Sequence, residues 1–181
     1  YVTMLHTWPV ILGTSNAMRQ ALAMSLLFYA VVHLENGSKG RALLYCVLMA
    51  FSHKSSILFL PLIFIGYVTT ILKPTKPINI RLVFLLVSGV SIAICVKFLK
   101  PSYRTEPIGV DLNPILLFIG FLYFLLVLFK GGKTVFTQGF LLAFIFFSST
   151  LWLLGYNFQV ERLWMMVLII MMVDVSFFFK G

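Results

Sequence analysis

From Leu82 to Leu99 the chain runs with a single charged side chain, Lys97. About twenty apolar residues in a helix cross the hydrocarbon core of a bilayer, which is about 30 Å thick. Runs of this kind recur from one end of the chain to the other. Seven apolar segments can be read: Ala17–Leu34, Ala42–Ser52, Ser56–Leu72, Leu82–Leu99, Pro114–Phe129, Thr134–Leu154 and Leu163–Phe179. They are continuously apolar rather than alternating, which argues against a β-barrel. Charged residues make up 10% of the chain, against about 25% in a soluble domain. The expected fold is all-α, a polytopic transmembrane bundle forming one integral membrane domain over residues 1–181. Tyr1 to Gly13 reads as the tail of an earlier segment, so the chain is expected to be a fragment lacking N-terminal helices.

The breaks between segments carry turn chemistry: Glu35 to Gly40, Lys73-Pro74-Thr75-Lys76-Pro77 and Lys130-Gly131-Gly132-Lys133. Ser15 or Asn16 can cap the first helix. Ala42–Ser52 is too short to span, since eleven residues rise only about 17 Å. Two readings compete there. Either Ala42–Leu72 is one long or broken helix with His53 in mid-membrane, or it is a short hairpin with His53-Lys54-Ser55 in a recessed turn. Loop charge favours the hairpin. It gathers Lys39, Arg41, Lys73, Lys76, Arg81, Lys130, Lys133 and Lys180 on one side, which becomes cytoplasmic.

The formal net charge is +9. The basic residues sit in short loops beside apolar spans, where orientation in the membrane accounts for them, and no contiguous basic face points to nucleic acid. Cys46 and Cys95 fall inside apolar runs and read as small packing residues. Pro61 is placed to kink its helix and free a carbonyl. Asp174 sits in the last segment, either pairing with Lys180 or facing the bundle interior.

Ionisable groups inside membrane segments face cavities, pair or bind substrates. The hairpin topology puts Arg19, His53, Lys54, Arg104 and Arg162 on the outer face. Such a cluster is an anion site in outline, because a guanidinium grips phosphate through paired, charge-assisted hydrogen bonds. His53 would precede a helix start at Ser55-Ser56, whose positive end favours the neutral imidazole, a general base near pH 7. The plainer reading is an imidazole capping a turn. The Lys100–Asn113 connection is the longest in the chain and lies on the same side.

What is missing narrows the chemistry. No Gly-rich phosphate loop, metal-ligand cluster or serine elbow is present. With five acidic residues in all, a facing pair of glycosidase carboxylates is hard to build. Any reaction must run on basic residues, which suits a substrate carrying its own anionic leaving group.

Two stretches carry a family resemblance. Asn16-Ala17-Met18-Arg19-Gln20-Ala21-Leu22-Ala23, followed by Phe51-Ser52-His53-Lys54-Ser55-Ser56, resembles the EpsG-like branch of the Wzy-type polysaccharide polymerases. There an N-x-x-R-Q-x-x-A stretch opens one membrane helix and an F-x-H-x-S turn follows. Glu161-Arg162, after Tyr156-Asn157, is similar to the family's late arginine. The resemblance runs from about Gly13 to Arg162.

It implies a multi-pass protein of the bacterial cytoplasmic membrane. Such a protein joins oligosaccharide repeat units carried on undecaprenyl diphosphate, at the outer face, with no metal or other cofactor. A flippase and a chain-length regulator are the implied partners, besides membrane lipid and the lipid-linked substrate. The implied catalytic residues are Arg19, His53 and Arg162. Asn16, Gln20, Ser55, Arg104 and Glu161 would contact substrate, and Lys54 is either a phosphate contact or an interfacial anchor. Three other readings remain open: an O-antigen-type ligase, a flippase or transporter for the same lipid, and a scaffold in a polysaccharide assembly complex.

Overall fold

The computed structural model describes residues 15–72, 78–99, 111–130 and 134–179, and among these every regular element is helical. The helices are α1 (Ser15–Glu35), α2 (Lys39–Ser52), α3 (Phe59–Leu72), α4 (Ile78–Leu99), α5 (Asn113–Lys130), α6 (Val135–Leu153) and α7 (Asn157–Phe179). A five-residue 3₁₀ turn, Lys54–Leu58, precedes α3. Each helix overlaps one of the apolar segments, and α7 begins six residues before its segment, taking in Glu161 and Arg162. Ser55–Leu72, Ile80–Phe98 and Val135–Leu153 are long and apolar enough to cross a membrane. The chain forms two compact units, Tyr1–Leu60 and Pro61–Gly181.

In the first unit α1 and α2 pack along their length as a helical hairpin closed at Gly37 (hereafter the hairpin), distinct from the turn at His53. Their buried residues share one spacing: Ala23, Leu27 and Ala30 on α1, and Ala42, Cys46 and Met49 on α2. A four-then-three repeat is the seam of two helices meeting side by side. The turn between them follows from Gly37, which has φ 74°. A left-handed residue there lets the Ser38 N–H reach back to the His33 carbonyl at 2.8 Å and the Gly37 N–H reach Leu34 at 3.1 Å, satisfying two otherwise orphaned carbonyls. Tyr45 of α2 stacks on both Tyr29 and His33 of α1, with ring centroids 5.4 Å and 5.3 Å apart. These contacts fix an antiparallel register.

The second unit is built around α6. Its residues from Phe136 to Ile145 are all buried, as are Phe147, Ser148 and Leu151. It packs against α4, α5 and α7. Small residues allow the close approaches on which helix packing in lipid depends. A Cβ at Gly89 of α4 would lie 2.8 Å from the Ala143 carbonyl oxygen of α6, and one at Gly139 of α6 would collide with Thr69 of α3. Buried Leu85, Gly89 and Ala93 trace one face of α4, while Ile80, Val83, Val87, Ile94 and Phe98 are exposed on the other. That exposed apolar face is suited to lipid. The turn from α6 to α7 repeats the device at Gly37. Gly155 has φ 87°, and the Tyr156 N–H returns to the Leu151 carbonyl at 3.1 Å.

Three expectations are revised. Pro61 produces no mid-helix kink, because it falls in the first turn of α3, where no intrahelical N–H is required. Cys95 is exposed rather than packed, whereas Cys46 is buried in the hairpin seam. The first helix takes in Ser15 and Asn16 instead of starting after them, so neither stands outside it as a cap.

Candidate functional site

The break expected at His53 is present: α2 ends at Ser52 and a 3₁₀ turn precedes α3, so no unbroken helix runs from Ala42 to Leu72. His53 has φ −152° and ψ 128°, extended backbone between the end of α2 and the 3₁₀ turn. Such an interruption strands carbonyls, which is costly away from water. The local sequence answers that cost with hydroxyls. The Met49 carbonyl draws the His53 N–H at 3.4 Å, the Ser52 hydroxyl at 2.8 Å and the Ser56 hydroxyl at 2.6 Å. Ser56 is fully buried and also reaches the His53 carbonyl. The serine that builds this turn is therefore Ser56, while Ser55 is half-buried beside it. The α-helix begins only at Phe59. The 3₁₀ turn runs directly into α3, so one helical run extends from Ser55 to Leu72 with its positive end toward His53, as the expected helix start at Ser55-Ser56 requires.

The hairpin register carries a consequence for Arg19. Tyr45 sits level with Tyr29 and His33, so the antiparallel count brings the level of Arg19 to the turn after Ser52. Arg19 is exposed, and Gln20 and His53 are half-buried. The two motifs, about thirty residues apart in sequence, thus share one end of the first unit. The side chains of Asn16 and Lys54 lie outside the described residues, as does Arg104 with the rest of its connection.

Arg162 and Glu161 occupy the first turns of α7 in the second unit, before the apolar run from Leu163. Arg162 is exposed and Glu161 half-buried. The Glu161 carboxyl is pushed above its usual range, first by burial and then by the nearby charge of Asp111. Asp111 itself accepts hydrogen bonds from the Asn113 N–H at 3.0 Å and the Asn113 side-chain amide at 2.5 Å, anchoring the start of α5. Sequence reasoning missed this carboxylate pair. The two residues are fifty apart, and only the side-by-side packing of α5 and α7 brings them near one another.

The same packing fixes Trp164, two residues beyond Arg162. Its indole is fully buried, edge-on to Phe144 with ring centroids 5.1 Å apart. A Cβ at Gly120 would come within 2.6 Å of the indole. Its Nε1 has no hydrogen-bond partner among the described residues.

An apolar helical chain whose interior is closed by small residues, and whose long breaks carry basic groups, defines a helical membrane protein. A family model extends the motif resemblance over the whole chain. Residues 1–181 match the EpsG family, and the chain belongs to it. EpsG is a Wzy-like polymerase family, which makes this a membrane protein of the polysaccharide polymerase type. Among curated proteins and solved structures, none matches the chain.

Proposed function

We propose that this chain polymerises oligosaccharide repeat units carried on a polyprenyl diphosphate, at the outer face of the bacterial cytoplasmic membrane, which it crosses several times. The observation that carries the reading is the EpsG family match over residues 1–181. The shared level of Arg19 and the His53 turn in the first unit supports it.

In the proposed reaction an acceptor sugar hydroxyl attacks the anomeric carbon of the donor repeat. The new glycosidic bond forms as the bond from that carbon to the diphosphate oxygen breaks, and polyprenyl diphosphate leaves. An imidazole nitrogen of His53 takes the hydroxyl proton. Arg19 and Arg162 bind the diphosphate and stabilise the charge that grows on it. Gln20 and Ser55 orient sugar or phosphate, with Asn16, Lys54, Arg104 and Glu161 as further substrate contacts. The leaving group supplies the driving force, so no metal, cofactor or nucleotide sugar takes part. A flippase delivers the repeats, and a chain-length regulator acts as a second partner.

The test is elongation of preformed lipid-linked repeats by the purified protein, without any gradient. Arg19→Ala, His53→Ala and Arg162→Ala should each cut elongation by about 10²-fold at equal protein level. A ladder of products is expected from the native chain. A single transfer would indicate a ligase, and normal polymer from all three variants would remove the proposed site.

A further inference from the structure

Asp174 is 2% exposed, five residues from the end of α7, and the reaction above makes no use of it. It is buried in the second unit, and Lys180, the partner weighed for it from the sequence, lies outside the described residues. The Tyr123 hydroxyl of α5 donates to its Oδ2 at 2.7 Å. The Thr134 hydroxyl, at the residue that opens α6, donates to its Oδ1. The Gln138 amide in turn donates to the Thr134 hydroxyl oxygen at 3.3 Å. One carboxylate therefore ties together three helices.

A carboxylate buried in an apolar bundle is expensive. A tie that only had to hold helices together would be served by apolar packing, which α6 already supplies in abundance. What a carboxylate adds is direction, because hydrogen bonds to its two oxygens specify an angle that dispersion contacts do not. α7 is also the helix that presents Arg162 at its other end. The contacts between α5 and α7 climb both helices in the same sense, from Asp111 near Glu161, through Gly120 at Trp164, to Tyr123 at Asp174. Twelve residues separate Arg162 from Asp174, a rise of about 18 Å. A rotation of α7 by about 15° would swing a side-chain end by roughly 1.5 Å, taking the helix radius with side chains as about 6 Å. Misplacements of about 1 Å cost up to about 10²-fold in a positioned reaction.

We propose that Asp174, held by Tyr123 and Thr134, is a positioning residue that sets the rotation of α7 and so aims Arg162 at the diphosphate. The inference rests on the role given to Arg162 above. Trp164 pins the same helix nearer Arg162 by shape alone, and the carboxylate is the pin with angular preference.

The experiment measures kcat and KM for polyprenyl-diphosphate-linked repeats, extracted from a host lacking this chain, with the purified protein in lipid nanodiscs. Tyr123→Phe and Thr134→Val, each deleting one hydroxyl, should lower kcat/KM about fivefold, the scale of one lost hydrogen bond, with most of the loss in kcat because Arg162 acts on charge that develops in the transition state. Asp174→Ala should cost more and Asp174→Asn less, since the amide keeps an acceptor oxygen. In an Arg162→Ala background the Tyr123→Phe and Thr134→Val penalties should disappear. Penalties of equal size with and without Arg162, or losses that follow thermal stability alone, would overturn the positioning role while leaving the reading of Arg162 intact. If Arg162→Ala is itself silent, that reading fails and the positioning role falls with it. Tyr123→Phe removes one oxygen atom only, so a failure of Asp174→Ala to fold does not block the test.

Discussion

α1 and α2 meet along a narrow seam of alanine, leucine, cysteine and methionine, whereas α6 is enclosed nearly all round by α3, α4, α5 and α7. Both arrangements begin from the same turn, a left-handed glycine that closes one helix and starts the next. The difference lies in what surrounds the turn. The hairpin exposes Leu43, Leu44, Val47, Leu48 and Phe51 on the outer side of α2. The bundle buries Phe136, Phe140, Phe144 and Phe147 on α6. The strongest motif residues, Arg19 and His53, lie in the thinly packed unit. Local hydrogen bonding from serines holds the turn there, where apolar burial holds the bundle.

That contrast is open to direct attack by substitution. Gly139→Leu forces a branched side chain into Thr69 and should cost the second unit about 3 kcal/mol, the upper range for overpacking, read as a lower unfolding temperature in detergent. Ser56→Ala removes the buried hydroxyl at the His53 turn. It should cost about 1 kcal/mol and lower elongation without disturbing the second unit. Gly40→Ala is the counterpart to the Gly139 change, since nothing lies within 4 Å of the added carbon. It should stabilise α2 by about 0.5 kcal/mol through helix propensity. A marked loss at Gly40, or none at Gly139, would erase the distinction between the two regions.

The smallest effect is a pH dependence. The Glu161 carboxyl lies above its ordinary value of 4.5, through burial and then through Asp111, so folding favours its protonated form. The stabilisation that accompanies this proton is complete below 4.5 and disappears as pH rises through the raised value. The unfolding temperature should fall slightly over that interval, by about 1 °C for a half-buried carboxyl that solvent still screens. Glu161→Gln should flatten the slope.

Helix positions were legible because lipid demands long apolar runs and because Gly37, Gly131 and Pro74 punctuate them. The break at His53 was legible because a cation and an imidazole do not belong inside a continuous span. Which serine closes that break was not, since a 3₁₀ turn displaces successive side chains differently from the α-helix that the pattern suggests. The partners of Asp174 were hidden for another reason. Tyr123 and Thr134 are 51 and 40 residues away, and only the relative rotation of three helices decides whether they meet it. Asp111 and Glu161 escaped notice in the same way. Arg19, by contrast, could be placed level with the His53 turn once the Gly37 turn and the Tyr45 stack fixed the register.

Trp164 offers a use beyond packing. A buried indole whose N–H finds no acceptor among the described residues, packed edge-on to Phe144, is expected to fluoresce as though dissolved in hydrocarbon. Water reaching that nitrogen would hydrogen-bond to it and move the emission to longer wavelength. With Trp8 and Trp152 replaced by phenylalanine, the chain would carry its own optical gauge of whether the bundle beside Arg162 is sealed.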